Sequence, residues 1–370
     1  LYGRKRLEAG RGKVSGNLVQ DAMINIALST VSPSKDLRNQ IEADLVTVVE
    51  SGWTDQLTNR LVKNRLAYCA SATISEIDSG AVRALQPRLA VEVARTMQMQ
   101  SYRNSLLKTV CSLLEEKELD YVVFKTLNKS GAVGVDLDVM IDESDFDDCV
   151  RAFQNRGFRS IDDLSKRYAT GFVLGTNPIV VDLHTSLTVL GVSYLSSASL
   201  LSSKRRIRYQ STLVDEPFDI NLLKEEMDAI VRMAHCVIKE GRVSIADLIE
   251  PVKVMEKSLS EVAVCSNREG LQTAVNSFLR IYSTYIESFS NDIAIADGAL
   301  ARIARCMTER TLSSQRELPV KLPLMLSMAA LLDRLRRKEE VTEYLLTPIS
   351  SLRYRRNIEQ LGRKILTHSL

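Results

Sequence analysis

Two aspartates, Asp136 and Asp138, interrupt the apolar stretch "GVDLDVMI" at residues 134–141. Side chains alternate along a strand, so both carboxylates share one face while Leu137, Val139 and Ile141 share the other. A buried carboxylate without a partner is costly, and two on one face repel each other. A cation between them, or a solvated cleft, resolves both problems. A third carboxylate, Asp182, lies in "IVVDLH", where Val180, Asp182 and His184 share a face. It follows Asp136 by 46 positions, room for one helix and one hairpin to bring the second acidic strand beside the first. Three carboxylates on neighbouring strands make a hard-oxygen site suited to Mg²⁺ or Mn²⁺. Two such ions ~3.5–4 Å apart would clamp the attacking and leaving oxygens of an in-line phosphoryl displacement.

The elements that must position these residues follow from periodicity. Residues 17–118 read as helices throughout: Leu37, Ile41, Leu45, Val48 and Val49 fall at helical spacing and Gly52 supplies a stop. Further amphipathic runs cover 54–69, 88–99 and 103–117. The first β-rich run is "YVVFKT" at 121–126, and "VDLDVMI" follows as a second strand. Ser144 is placed to cap a helix carrying Phe146, Cys149, Val150 and Phe153, which Gly157 ends. "FVLGTNPIVVDLH" reads as a hairpin around a Gly-Thr-Asn-Pro turn, with "RIRY" and "FDI" as later strands. From about residue 222 the pattern is helical again. The expected architecture is α+β: an N-terminal helical region (1–118), a small mixed-sheet core (119–221) and a C-terminal helical region (222–370).

An apolar strand, a short "KT" turn, a ten-residue gap, an Asp-x-Asp strand and a later single-Asp strand resemble the DNA polymerase β-like nucleotidyltransferase superfamily. More narrowly, "FKT", "DLD", "VDLH", "MAHCVI" and "SIADLIE" occur in the order found in the bacterial and archaeal family labelled uncharacterised nucleotidyltransferase. The resemblance spans roughly residues 50–255 and, more loosely, the C-terminal helices. It implies a nucleotidyltransferase core in which Asp136, Asp138 and Asp182 hold the metals and Thr126 meets a nucleotide phosphate. Two departures stand out. Thr126 replaces the turn glycine, which makes close backbone approach to a triphosphate harder. The Arg and the Ser or Gly that commonly precede the first Asp are missing from "AVGV".

Other residues carry structural readings beside functional ones. Lys125 can touch a phosphate or extend from a strand end. His184 can hydrogen-bond a metal ligand or serve structure alone. His235, with Val231, Ala234 and Ile238, reads as a core histidine. Ser244 and Asp247 have capping-box spacing, and Asp145, Asp147 and Asp148 favour a helix N-terminus. "GRGKVSG" at 10–16 mimics a phosphate loop, but Leu7 stands where its first glycine belongs and no strand precedes it. Asp-x-Asp also marks sugar-nucleotide glycosyltransferases, where a unit of alternating strands and helices comes first; here about a hundred helical residues do.

Composition narrows the partners. Lys and Arg total 49 against 46 Asp and Glu, so no global field points to nucleic acid. Aromatics are 5% of the chain and do not alternate with basic residues, so stacking on single-stranded RNA is not signalled. Local basic runs occur at 4–6, 204–208, 334–338 and 353–356. "KRRIR" at 204–208 is the best candidate among them for an RNA backbone or triphosphate contact. Six scattered cysteines without a C-x-x-C pair argue against structural zinc and a disulfide framework, and for a reducing, cytoplasmic setting. The run "LPLMLSMAALL" stops at Asp333, too short for a bilayer, so no membrane partner is expected.

The favoured expectation is a Mg²⁺- or Mn²⁺-dependent enzyme moving a nucleoside monophosphate from an NTP to an acceptor hydroxyl. That hydroxyl belongs to an RNA 3′ end, a small molecule or a protein. The rival is a catalytically degraded scaffold of the same fold, binding protein partners through its helical ends.

Overall fold

The alternation read at residues 136–141 organises the whole molecule. The computed structural model describes residues 16–31, 33–127, 134–161, 168–189, 192–211, 216–286, 299–315 and 318–338. The basic runs at 4–6 and 353–356, and nearly all of "GRGKVSG", lie outside them. Strands β1 (Tyr121–Phe124), β2 (Asp136–Ile141), β3 (Phe158–Ser160), β4 (Ala169–Leu174) and β5 (Val180–His184) come first. The hairpin β6 (Ser186–Val189) and β7 (Val192–Ser196) follows, then β8 (Lys204–Tyr209) and β9 (Phe218–Leu223). Seven of them form one sheet in the order β3-β4-β5-β2-β1-β9-β8, and β6 and β7 pair separately. The sheet is mixed: β2 runs parallel to β5 and β1 to β9, while the remaining pairs are antiparallel. The chain is therefore α+β, with helices before, within and after the sheet.

Period-two alternation splits the sheet between two apolar clusters. Tyr121, Val123, Leu137, Val139, Ile141, Val181 and Leu183 pack on one side with Leu106, Leu107, Val110 and Leu114 of the long helix Gln86–Glu116. Phe146, Cys149, Val150 and Phe153 of helix Phe146–Asn155 join them. Val122, Phe124 and Met140 point the other way, into a core shared with both the N-terminal and the C-terminal helices. Those two helical regions meet each other directly. The Ile245 N–H donates to Asn64 Oδ1 at 3.3 Å, and the Leu318 N–H donates to Gln20 Oε1 at 3.1 Å. They form a single body on the face that carries Asp136 and Asp138.

Several local expectations are met and others are corrected. β4 and β5 are the antiparallel hairpin, and Gly52 and Gly157 take the positive φ that ends the elements before them. Ser244 and Asp247 form the capping box of Ile245–Ile249. The runs at 88–99 and 103–117 are one continuous helix. The run at 54–69 breaks into Thr54–Lys63 and Ala67–Ser75, because buried Asn64 caps the first helix and Arg65 adopts a left-handed φ of 59°. Asp142, not Ser144, caps the turn before Phe146–Asn155: its carboxylate accepts from the Ser144 N–H at 2.9 Å. All six cysteines are free thiols. Among the described residues, no helix is long and apolar enough to cross a membrane.

Candidate active site

Parallel pairing of β2 with β5 places Asp138 directly opposite Asp182, and Asp136 opposite Val180. Register partners point to the same side of a sheet about 4.8 Å apart, so the three carboxylates gather on the face turned toward the helical body. Antiparallel β1 brings Phe124 opposite Asp138, which sets the following Lys125 at the rim. Gly134 makes room for the first carboxylate: a Cβ there would stand 2.9 Å from Asp136 Oδ1.

Asp138 is only 4% exposed, and both its oxygens are engaged. Oδ1 lies 3.0 Å from His184 Nε2 and Oδ2 lies 3.2 Å from Lys125 Nζ. Burial alone would raise its pKa. The Lys125 charge, then the hydrogen bond and charge of His184, outweigh burial and hold it well below the usual carboxylate range. Asp136 and Asp182 are half-buried and shift the other way. For Asp136 the causes are burial and then the Asp138 charge, eased by Lys125 and Lys239. For Asp182 burial again comes first, and the charges of Asp138 and Asp136 add to it against the relief from His184.

Lys125 is fixed from several directions. Its φ is +55°, and its backbone N–H donates to Asp228 Oδ1 at 2.9 Å. Asp228 is itself held by Arg232 Nε at 2.7 Å. The ammonium lies 5.4 Å from the centroid of the Phe124 ring and 3.5 Å from His235 Nε2. His235 opens a π-helical turn, His235–Glu240, which follows Glu225–Ala234. Its Nδ1 faces the Tyr194 hydroxyl at 3.2 Å, and its Nε2 lies 3.1 Å from Glu240 Oε1. Burial, then the charge on Lys125, push the imidazole down to about 4.

The expected site residues thus fall into two groups. Asp136, Asp138, Asp182, His184 and Lys125 meet on one face. Thr126 does not present its hydroxyl: the side chain is buried and donates to the Phe124 carbonyl at 3.0 Å, while its own carbonyl accepts from Arg103 Nη1 at 2.9 Å. Ligand atoms of Asp138, Asp182 and His184 lie within 4.8 Å of one another, a cluster compatible with a metal ion. Sequence reasoning missed Asp228, Tyr194, Glu240 and the space at Gly134. His235 and Glu240 are five residues apart, which aligns side chains only in a π-helical turn, and a helical pattern at period 3.6 gives no sign of one.

The basic run at 204–208 is neutralised. Lys204 pairs with Asp120, Arg205 with Glu225 at 3.2 Å, Arg206 with Glu115 at 3.1 Å, and Arg208 with Asp219 at 3.3 Å. The run at 334–338 is likewise absorbed. Arg334 Nε donates to the Tyr194 carbonyl at 3.0 Å, and Arg336 and Arg337 pair with the fully buried Asp333.

Compared with known protein families, with curated proteins and with solved structures, the chain matches none.

Proposed function

We propose that the chain is a metal-dependent nucleotidyltransferase, akin to the DNA polymerase β-like superfamily, that moves a nucleoside monophosphate from an NTP to an acceptor hydroxyl. The observation that carries this reading is the register of β2 against β5, which sets Asp182 opposite Asp138 with Asp136 two residues away on the same face. The donor chemistry fits a divalent cation. Carboxylates and an imidazole converge within 4.8 Å on rigid strands, and Asp136 and Asp182 make no ion pair among the described residues. Bound there, Mg²⁺ or Mn²⁺ would supply Lewis-acid stabilisation of the transferring phosphoryl oxygens.

The chain's own residues would do the rest. Asp138, kept ionised by Lys125 and His184, anchors the site. Asp182 takes the proton leaving the acceptor hydroxyl. Lys125 and Lys239 bring positive charge to the carboxylates, where a triphosphate would lie. Thr126 acts through its backbone at the turn, since its hydroxyl is committed to Phe124. An RNA 3′ end, a small molecule and a protein side chain are all chemically admissible acceptors. The neutralised 204–208 strand gives RNA no special support. A cytoplasmic setting accords with six free thiols.

The engagement of both Asp138 oxygens by protein side chains favours a second reading, a binding scaffold in which ion pairing has replaced catalysis. Incubation with labelled NTPs, Mg²⁺ or Mn²⁺ and varied acceptors separates the two. Incorporation by the wild type that vanishes in Asp136→Ala supports the transferase. Equal signal in both proteins, or none in either, supports the scaffold.

A further inference from the structure

Lys125 is not a surface lysine that happens to lie near an acid. A left-handed backbone, a half-buried Asp228–Arg232 pair, the face of Phe124 and the edge of His235 all locate its ammonium against Asp138 Oδ2. The pair is nearly enclosed, with side-chain exposures of 13% and 6%. Withdrawing the ammonium would strand a buried carboxylate, the costly way to break such a pair. A carboxylate that bridges two metal ions through separate oxygens needs both, and Oδ2 of Asp138 is held by the Lys125 charge.

Charge points the same way. Asp136, Asp138 and Asp182 carry three negative charges, Lys125 cancels one and Lys239 offsets part of the rest. A single divalent cation therefore suffices to balance the site, and a second would leave it strongly positive. The donors gathered there are mixed: carboxylate oxygens together with His184 Nε2, which meets Asp138 Oδ1 at 3.0 Å and would turn from it to an ion. Imidazole suits transition-metal ions better than Mg²⁺, which prefers oxygen alone.

We infer that Lys125 serves as a built-in cation on Asp138 and that the site takes up one transition-metal ion, of the Mn²⁺ type, through Asp138, Asp182 and His184. The inference rests on the metal-dependent reading of the site, but not on any transfer reaction. Lys125 is thereby a positioning residue that fixes how many ions the site holds, and His184 sets which kind.

Titrating the full chain with Mn²⁺ alone, followed by electron paramagnetic resonance, tests this directly. The expected result is one bound ion per chain with a nitrogen coupling in the pulsed spectrum, and no coupling in His184→Ala. Lys125→Met, which removes the competing charge, should bind Mn²⁺ at least about tenfold more tightly, whereas Lys125→Arg should resemble the wild type. Two wild-type ions, no bound ion, no nitrogen coupling, or unchanged affinity in a folded Lys125→Met would each overturn the inference. The wild-type stoichiometry and coupling decide the matter even if the variants fail to fold. A one-ion signature without nucleotide incorporation would sink the transferase reading alone, and incorporation with two ions would sink this inference alone.

Discussion

Asp138 and Asp182 are register partners on adjacent parallel strands, yet their carboxyl groups are held in opposite directions from the ordinary value. The difference comes from what each meets. Asp138 is clasped by Lys125 and His184 in a buried position. Asp182 is half-buried, and two other carboxylates add to its cost of ionising. One residue of the pair is committed to protein partners, and the other is left with a cost of ionising that its neighbours do not relieve.

This asymmetry predicts opposite stability effects from the same chemical change. Asp138→Asn leaves Lys125 buried against a neutral amide and should cost about 3–5 kcal/mol. Asp182→Asn removes a repelled carboxylate from the ion-free protein and should change stability by about 1 kcal/mol or less, in the stabilising direction. Urea unfolding without divalent ions measures both. Adding Mn²⁺ should then stabilise the wild type more than Asp182→Asn, because only a ligand bound to the native state raises the midpoint. Equal losses in the two variants would contradict the assignment.

Gly134 offers a way to move one carboxylate without deleting it. In Gly134→Ala the new Cβ would stand 2.9 Å from Asp136 Oδ1, so the carboxylate must rotate away. Its contact is the end of a flexible side chain, and stability should change by about 0.5 kcal/mol or less. Mn²⁺ affinity should fall several-fold where Asp136 contributes to binding. Calorimetric titration at fixed pH reads this, and unaltered affinity would place Asp136 outside the ion's reach.

Much of this arrangement is legible in the chain itself, and the reasons why some of it is and some is not are physical. "VDLDVMI" and "IVVDLH" alternate at period two, so shared faces follow from strand geometry alone. The Gly-Thr-Asn-Pro turn and the Ser244–Asp247 box are short-range signals whose chemistry is complete within a few residues. Residues that act across long separations were not legible. Asp228 reaches the Lys125 N–H across 103 positions, and nothing in "EEMDAI" distinguishes a lysine clamp from an acid at a helix N-terminus. The break at Asn64–Arg65 was hidden because an amphipathic pattern continues through it. Ser144 has the type of a cap, but Asp142, two residues earlier, accepts from both its N–H and its hydroxyl and so opens the turn that leads into the helix.

The β8 strand provides a negative prediction. Four basic side chains there face four carboxylates, from Asp120, Glu225, Glu115 and Asp219. Replacing Arg206 and Arg208 together by alanine should cost about 1 kcal/mol or less, as exposed pairs contribute little. Retention of single-stranded RNA on a filter at low salt should be the same for the double variant and the wild type. A marked loss would show that these arginines exchange their carboxylates for phosphates.

His235 should give the protein a specific acid sensitivity. Its imidazole is pushed down to about 4, first by burial and then by Lys125, while Glu240 pulls the other way. In the unfolded chain the group titrates near its ordinary value of about 6.5. As pH falls from about 6.5 to 4, the unfolded state binds a proton that the native state refuses, so stability falls with pH across that window. The contribution of the neutral ring is complete above about 6.5, and its loss amounts to at most ~3 kcal/mol. His235→Gln has no ionisable ring, so its stability should decline less over the same interval, whatever its value at pH 7. Carboxylates common to both proteins cancel in the comparison. Urea midpoints at pH 7, 5.5 and 4.5 measure the difference, and parallel declines would mean that His235 accepts its proton without opening the contacts to Tyr194 and Lys125.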